Sequence, residues 1–282
     1  MRYFGKTLGF LLGTMALLAA TAGAETMAER TLKEIVARQR HILSRAEKEG
    51  DQLDQGWLRG ELQSVINSYD ILMQKSPEFA AGYVAYGMLL GQVGMTKEAV
   101  AILLKANKLD PQIPLAKNQL AKHLAEDGKF VEALPWIMAA IDLEPRESLY
   151  HYHLGLLLTE GRGELIRTGQ FTREALDKAM LEAFQRAAEF APGNFAYAYR
   201  QAEAYYDLEQ PKWDEALKAW SALEDRAKAG IEKETIRLHA ANVLFKQGQP
   251  DRARALLAMV SEAVLQKQKQ TLLDQMAPKP EK

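Results

Sequence analysis

The chain has 282 residues, 48% of them apolar and 26% charged, and 36 basic side chains against 37 acidic ones leave a net charge of −1. That balance excludes a broadly basic nucleic-acid surface and an acidic tail. The absence of cysteine excludes disulfides, thiolate metal sites, a cysteine nucleophile and a lipid-modified N-terminal cysteine.

Residues 1–24 carry Arg2 and Lys6, an apolar run from Leu8 to Ala20 and the small-x-small ending Ala22-Gly23-Ala24. This is the pattern of a secretory signal peptide. It predicts cleavage after Ala24, a mature chain starting at Glu25 and a periplasmic or secreted location. An uncleaved anchor is the alternative, because Thr7 to Ala24 approaches the length of a bilayer span. No other stretch does, so the mature chain is expected to have no membrane span.

Residues 25–76 read as a divergent opening hairpin. A helix over 27–49 turns Leu32, Ile35, Val36, Ile42 and Leu43 inward. The polar turn EGDQLDQG leads to a second helix over 57–75, with Leu58, Leu62, Ile66, Tyr69 and Leu72 on one stripe. From there a fixed spacing takes over. Pro77, Pro111 and Pro145 recur at a constant interval, and laying 78–111 on 112–145 superposes Leu90 on Leu124, Gly94 on Gly128, Glu98 on Glu132, Ala99 on Ala133 and Ala106 on Ala140. Within one unit two apolar helical patterns meet at Gly94, where a helix end favours a residue tolerant of positive φ. Thr96 is placed to cap the second helix. Helices are expected to stop near Pro77, Pro111, Pro145 and Pro192, since the residue before proline is pushed out of the α region.

With Tyr83, Gly87, Leu90, Gly94, Ala99, Ala106 and Pro111 in those places, the chain resembles the tetratricopeptide repeat family. The resemblance implies an all-α, right-handed superhelical solenoid of about six antiparallel helix pairs. Five repeats are expected over 77–263. The second, 114–145, has Pro135 inside its second helix, near enough to the helix start to predict a mild kink. The third is lengthened near 159–179, where Gly161, Gly163 and Gly169 mark loops and Phe171 to Ala179 extends the second helix backwards; this reads as a solvent-exposed elaboration. Repeats four and five follow, with Pro250 in the first turn of the last helix. From Ser261 the helix is expected to continue to about Met276, so that 264–282 forms a capping helix and a disordered tail.

Searching for chemistry gives little. His151 and His153 point to different sides of a helix and cannot share a metal, and His41, His123 and His239 lack partners at ligand spacing. There is no phosphate-binding glycine loop and no nucleophile elbow. The reading is of a protein that is not an enzyme and uses no cofactor.

The resemblance further implies ligand-facing positions on the first helix of each repeat, lining a concave groove. These are Val84 and Met88, then Asn118 and Lys122, Tyr152 and Leu156, then Tyr199, Glu203 and Tyr206, and finally Asn242 and Phe245. From Asn118 onward they are the candidate partner-binding residues, with Tyr152, Tyr199 and Tyr206 as the main anchors. Val84 and Met88 stand where chaperone-binding members carry the lysine and asparagine of a carboxylate clamp, so that specificity does not transfer. The expected function is an exported, noncatalytic scaffold for a protein or peptide. The alternative is a glycan- or peptidoglycan-binding accessory to an envelope enzyme, and assembly with further copies of the chain is a third possibility. No nucleic-acid partner is expected.

Overall fold

The computed structural model describes residues 25–277. The signal-peptide segment 1–24 and the tail from Pro278 lie outside the described residues. Among the described residues the fold is all-α, with no strand. The chain divides into two compact units, one running to His123 and one starting at Leu124.

The first unit opens with α1 (Met27–Glu49) and α2 (Gln55–Lys75), then α3 (Ala80–Gln92), α4 (Thr96–Leu109) and α5 (Pro114–Glu126), inside which the unit boundary falls. α1 packs on α2, α2 on α3, and α3 on α4. The inward residues are those the helical periodicity selects: Leu32, Ile35 and Ile42 on α1, and Val65, Tyr69 and Leu72 on α2. The polar turn between them is more ordered than its composition suggests. It contains a 3-10 turn (Gly50–Gln52), buries Leu53, and ends at Asp54, which accepts from the backbone of Gly56 and Trp57 to cap α2.

Close approach of α3 and α4 explains the small residues. Ala99, Leu103 and Ala106 are fully buried, and a β-carbon placed on Gly87 would meet the Leu103 side chain at 2.7 Å. Gly94 takes φ +83 to end the turn, a region that costs most side chains strain. Thr96 does not cap: it already lies inside the helix, and Met95 occupies the cap position without a side-chain bond. The first turn is held instead by the Ala99 amide donating to the Met95 carbonyl.

The second unit holds α6 (Phe130–Leu143), α7 (Ser148–Glu160), α8 (Arg162–Arg167), α9 (Arg173–Phe190), α10 (Phe195–Ala204), α11 (Trp213–Glu224), α12 (Ile231–Lys246), α13 (Pro250–Ala258) and α14 (Gln266–Gln275). α7 pairs with α9, α10 with α11 and α12 with α13, and each pair is covered by the next through α9 on α10 and α11 on α12. α6 runs uninterrupted through Pro135. Helices α2, α4, α6 and α9 all stop at the second residue before the prolines that mark the repeat, as the restriction on the pre-proline residue requires.

Two expectations about the later part of the chain need correction. The stretch 159–179 is not loop up to Phe171, nor is it solvent-exposed throughout: it contains α8, whose Leu165 is fully buried, packed against α6, α7 and α9. Gly161 is required there because Phe130 sits 2.5 Å from where its β-carbon would be. The backward extension of the second helix does occur, as the long α9. The final helix is likewise not continuous from Ser261. The chain breaks after α13, makes a 3-10 turn (Ala263–Leu265) and only then enters α14. The break is held by Glu234, whose carboxylate accepts from the Ser261 amide and hydroxyl and from the Glu262 amide at 2.7–2.8 Å.

Candidate partner-binding face

The first helices of the second unit are set by their caps. The Glu147 carboxylate accepts from the Leu149 amide at the start of α7, and Asn194 accepts from the Tyr197 amide at the start of α10. Side chains of the two helices meet. Near their starts Tyr152 stacks on Tyr197 with ring centroids 4.6 Å apart. Further along, the Arg200 guanidinium donates to the Thr159 hydroxyl at 3.3 Å.

Arg200 is the hub of this seam. It also pairs with Asp207 at 3.1 Å and lies over the Phe184 ring at 4.5 Å. Tyr152 packs edge-on against the same Phe184. Around them stand two carboxylates, Glu160 at the end of α7 and Glu203 near the end of α10. Neither makes an ion pair or hydrogen bond among the described residues. Burial raises the Glu203 carboxyl above its usual range, Arg200 opposes that, and the charge of Asp207 adds to it. Glu160, exposed at the end of α7, is also raised, by partial burial of its carboxyl, with Arg200 opposing the rise and the charge of Glu126 adding to it. The Tyr152 phenol is raised by burial, with Arg200 opposing the rise and Glu203 and Glu160 adding to it.

Tyr199 and Tyr206, expected as exposed anchors, are placed differently. The α-helix gives way to a 3-10 turn (Tyr205–Asp207) before Tyr206, yet both rings reach the same junction of α10, α11 and α12. Tyr199 meets Trp220 edge-on at 5.1 Å, and its hydroxyl is 2.9 Å from His239 Nε2. Tyr206 leans on Trp213, Trp220 and His239, and donates its hydroxyl proton to the His239 carbonyl at 3.1 Å. Burial pushes the Tyr199 phenol to about 12 and raises the Tyr206 phenol as well, the latter offset in part by a hydrogen bond to Asn242. These tyrosines are therefore packing residues first, and losing them would cost stability.

The remaining candidates separate. Asn118 is fully buried in α5 and presents nothing to a partner, which corrects its assignment as a contact residue. Lys122, partly exposed, belongs with it to the first unit. Leu156 is partly exposed on α7 between Tyr152 and Glu160, while Phe245 packs into the core formed by α12 and α13. The structure thus brings Tyr152 and Leu156 to one face of α7, adds Asn242 beside Tyr206, and leaves Phe245 partly exposed against the α12–α13 core. Arg200, Tyr197 and Glu160 were not anticipated. Continuing the four-residue step from Tyr152 and Leu156 would have reached Glu160.

No protein-family model matches the sequence, and no curated protein sequence matches it. Solved structures do. YrrB, described as a TPR protein with an unusual peptide-binding site, aligns at a TM-score of 0.54 and 17% identity over 73% of this chain and 92% of its own. PilF of Pseudomonas aeruginosa aligns at 0.60 and 13% over 89% of this chain and all of its own. The fold is tetratricopeptide-like. In tetratricopeptide-like terms, α7, α10 and α12 are the first helices of their hairpins, and α9, α11 and α13 the second. Among the described residues there is no group of three or more His, Asp or Glu close enough to hold a metal ion, and no helix long and apolar enough to cross a membrane.

Proposed function

We propose that the protein is an exported, noncatalytic scaffold that holds a protein or peptide partner against the first helices of its repeats. The observation that carries this reading is the face shared by α7 and α10. Tyr152, Leu156 and Glu203 stay partly exposed there, while Arg200 is tied to Thr159 and Phe184 and Tyr197 stacks on Tyr152. Partly exposed side chains on a packed first-helix face suit an extended peptide or a helix laid across it. YrrB has a peptide-binding site on the same kind of fold, which supports the choice of ligand class. The raised ionisation of Glu160 and Glu203 is accounted for by burial, with Arg200 opposing it and neighbouring carboxylates adding to it.

The glycan alternative loses its main support. Sugar stacking needs open ring faces, and Tyr199, Tyr206 and Trp220 spend theirs on one another and on His239.

The test is a photo-crosslinking amino acid placed at Leu156 in the native host, with the same group at Met138 as the control. Met138 is an exposed residue of α6 in the same unit. A discrete crosslinked protein from position 156 and none from 138 is the expected result. Equal labelling at both positions, or none at 156, rejects the reading.

A further inference from the structure

We infer that the lengthened stretch 159–179 braces the partner-binding face. Arg173, at the start of α9, and Asp207, in the turn that follows α10, are positioning residues: they hold Arg200 and, through it, the end of α7 and the Phe184 ring beside Tyr152. This rests on the preceding reading for the use of the face, and adds how the face is kept in shape.

α10 gives way to the 3-10 turn Tyr205–Asp207, and a helix end leaves carbonyls that its own turns do not satisfy. The Asp207 carbonyl is answered by the Arg173 guanidinium at 2.7 Å, a placement in which a cation favours a helix C-terminus. The Asp207 carboxylate accepts from Arg200 at 3.1 Å. One residue is thus gripped on its backbone by the lengthened stretch and on its side chain by the partner face. Arg173 is itself fixed, because its Nε donates to both Asp177 oxygens at 3.0 and 3.1 Å. Asp177 is buried and also accepts from the Glu209 amide at 2.7 Å. On the other side of Asp207, the Arg200 side chain is only 16% exposed. It donates to Thr159 on α7 at 3.3 Å and lies over Phe184, the ring that Tyr152 meets edge-on.

The first helices α3, α7 and α12 are closed by amides of the residues that follow them. At Asp207 the closing donor is instead a side chain that the lengthened stretch supplies. Added length that reads as surface elaboration therefore has a mechanical use. A contiguous run of hydrogen bonds and ion pairs can carry a displacement from one element to the next. Every link here has a guanidinium as donor, so each bond is charge-assisted and its geometry is set by a planar fork. Freeing Asp207 from Arg173 should let the turn shift, and Arg200 with it.

The experiment returns to the photo-crosslinking group at Leu156 in the native host, below the melting midpoint of every variant. Arg173→Gln and Asp207→Asn should each lower the crosslink yield by about threefold or more, although Arg173 belongs to α9. Asp207→Glu keeps the carboxylate and should retain most of the yield. Leu257→Ala, in the α12–α13 core, lowers stability away from the brace and should leave the yield as it is. Hydrogen exchange on the protein purified from that host gives a second readout that needs no partner. Arg173→Gln should speed exchange in the turn 205–207 and at the end of α7 near Thr159, which Arg173 reaches through Asp207 and Arg200. Unchanged yield in either Arg173→Gln or Asp207→Asn, an equal fall in Leu257→Ala, or faster exchange that stops at Asp207 overturns the inference. A wild-type chain that gives no crosslink at Leu156 removes the scaffold reading by itself, and the exchange pattern then decides whether the brace exists.

Discussion

His239 lies flat on Trp220, with ring centroids 4.2 Å apart and planes 6° from parallel, and its Nε2 is within 2.9 Å of the Tyr199 hydroxyl. Burial lowers its pKa from 6.5 to about 4. The unfolded chain therefore takes up a proton near pH 6.5 that the folded chain refuses until about pH 4. Stability must fall across that window as pH drops, by at most about 3 kcal/mol if the whole shift is expressed. Urea denaturation at pH 7 and pH 5 should show this loss in the wild-type chain and a smaller one in His239→Phe, which keeps the stacking and cannot titrate. An identical loss in both would remove His239 as its source. None of this was legible in the sequence. The sequence shows no ligand-spaced partners for His239, and the ring's packing partners are as far as 40 residues away. Periodicity reports which side of a helix is apolar, and says nothing of which distant ring covers it. Tyr199 and Tyr206 show the same limit: their places on α10 and in the turn after it were legible, and the rings on α11 and α12 that pack against them were out of sight.

At the scale of elements, the sequence spoke clearly wherever a glycine or proline enforced geometry. Helix ends at Lys75, Leu109, Leu143 and Phe190 follow the prolines, and Gly94, Gly128 and Gly248 adopt positive φ at equivalent turns. It was poor where an element is held by a long-range polar contact, as at the break secured by Glu234 and in the added stretch containing α8. Both departures from the repeat length in the second unit meet at Asp177. Its carboxylate accepts from Arg173 on α9 and from the Glu209 amide in the loop after α10, while Arg173 also donates to the Asp207 carbonyl. The longer α9 and the longer α10–α11 loop are thus fastened to each other. Asp177 is buried, so Asp177→Ala should cost about 1–3 kcal/mol by stranding these donors. The exposed pair Arg186–Glu182, at 2.6 Å, should be worth less than about 0.5 kcal/mol. Chemical denaturation of Asp177→Ala beside Glu182→Ala checks the contrast. Similar losses from the two would mean that Asp177 is no more than another surface contact.

Within each unit the described helices pack on their neighbours in the chain, so the start of α1 has to be closed locally. α1 does this with its own capping box: the Thr26 hydroxyl accepts from the Glu29 amide, and the Glu29 carboxylate accepts from the Thr26 amide at 2.7 Å. Glu25 adds ion pairs to Lys33 and Arg30. The proposed cleavage after Ala24 would leave this capping box and these ion pairs in the mature chain. The chain from Glu25 should melt at the same temperature and show the same helical circular dichroism as the uncleaved protein. In the native host, N-terminal sequencing of the envelope fraction should begin Glu25-Thr26-Met27. Met1 retained on a membrane-bound chain would mean that the segment serves as an anchor. Met1 retained on a chain in the soluble cytosol would refute export and, with it, any partner confined to the envelope.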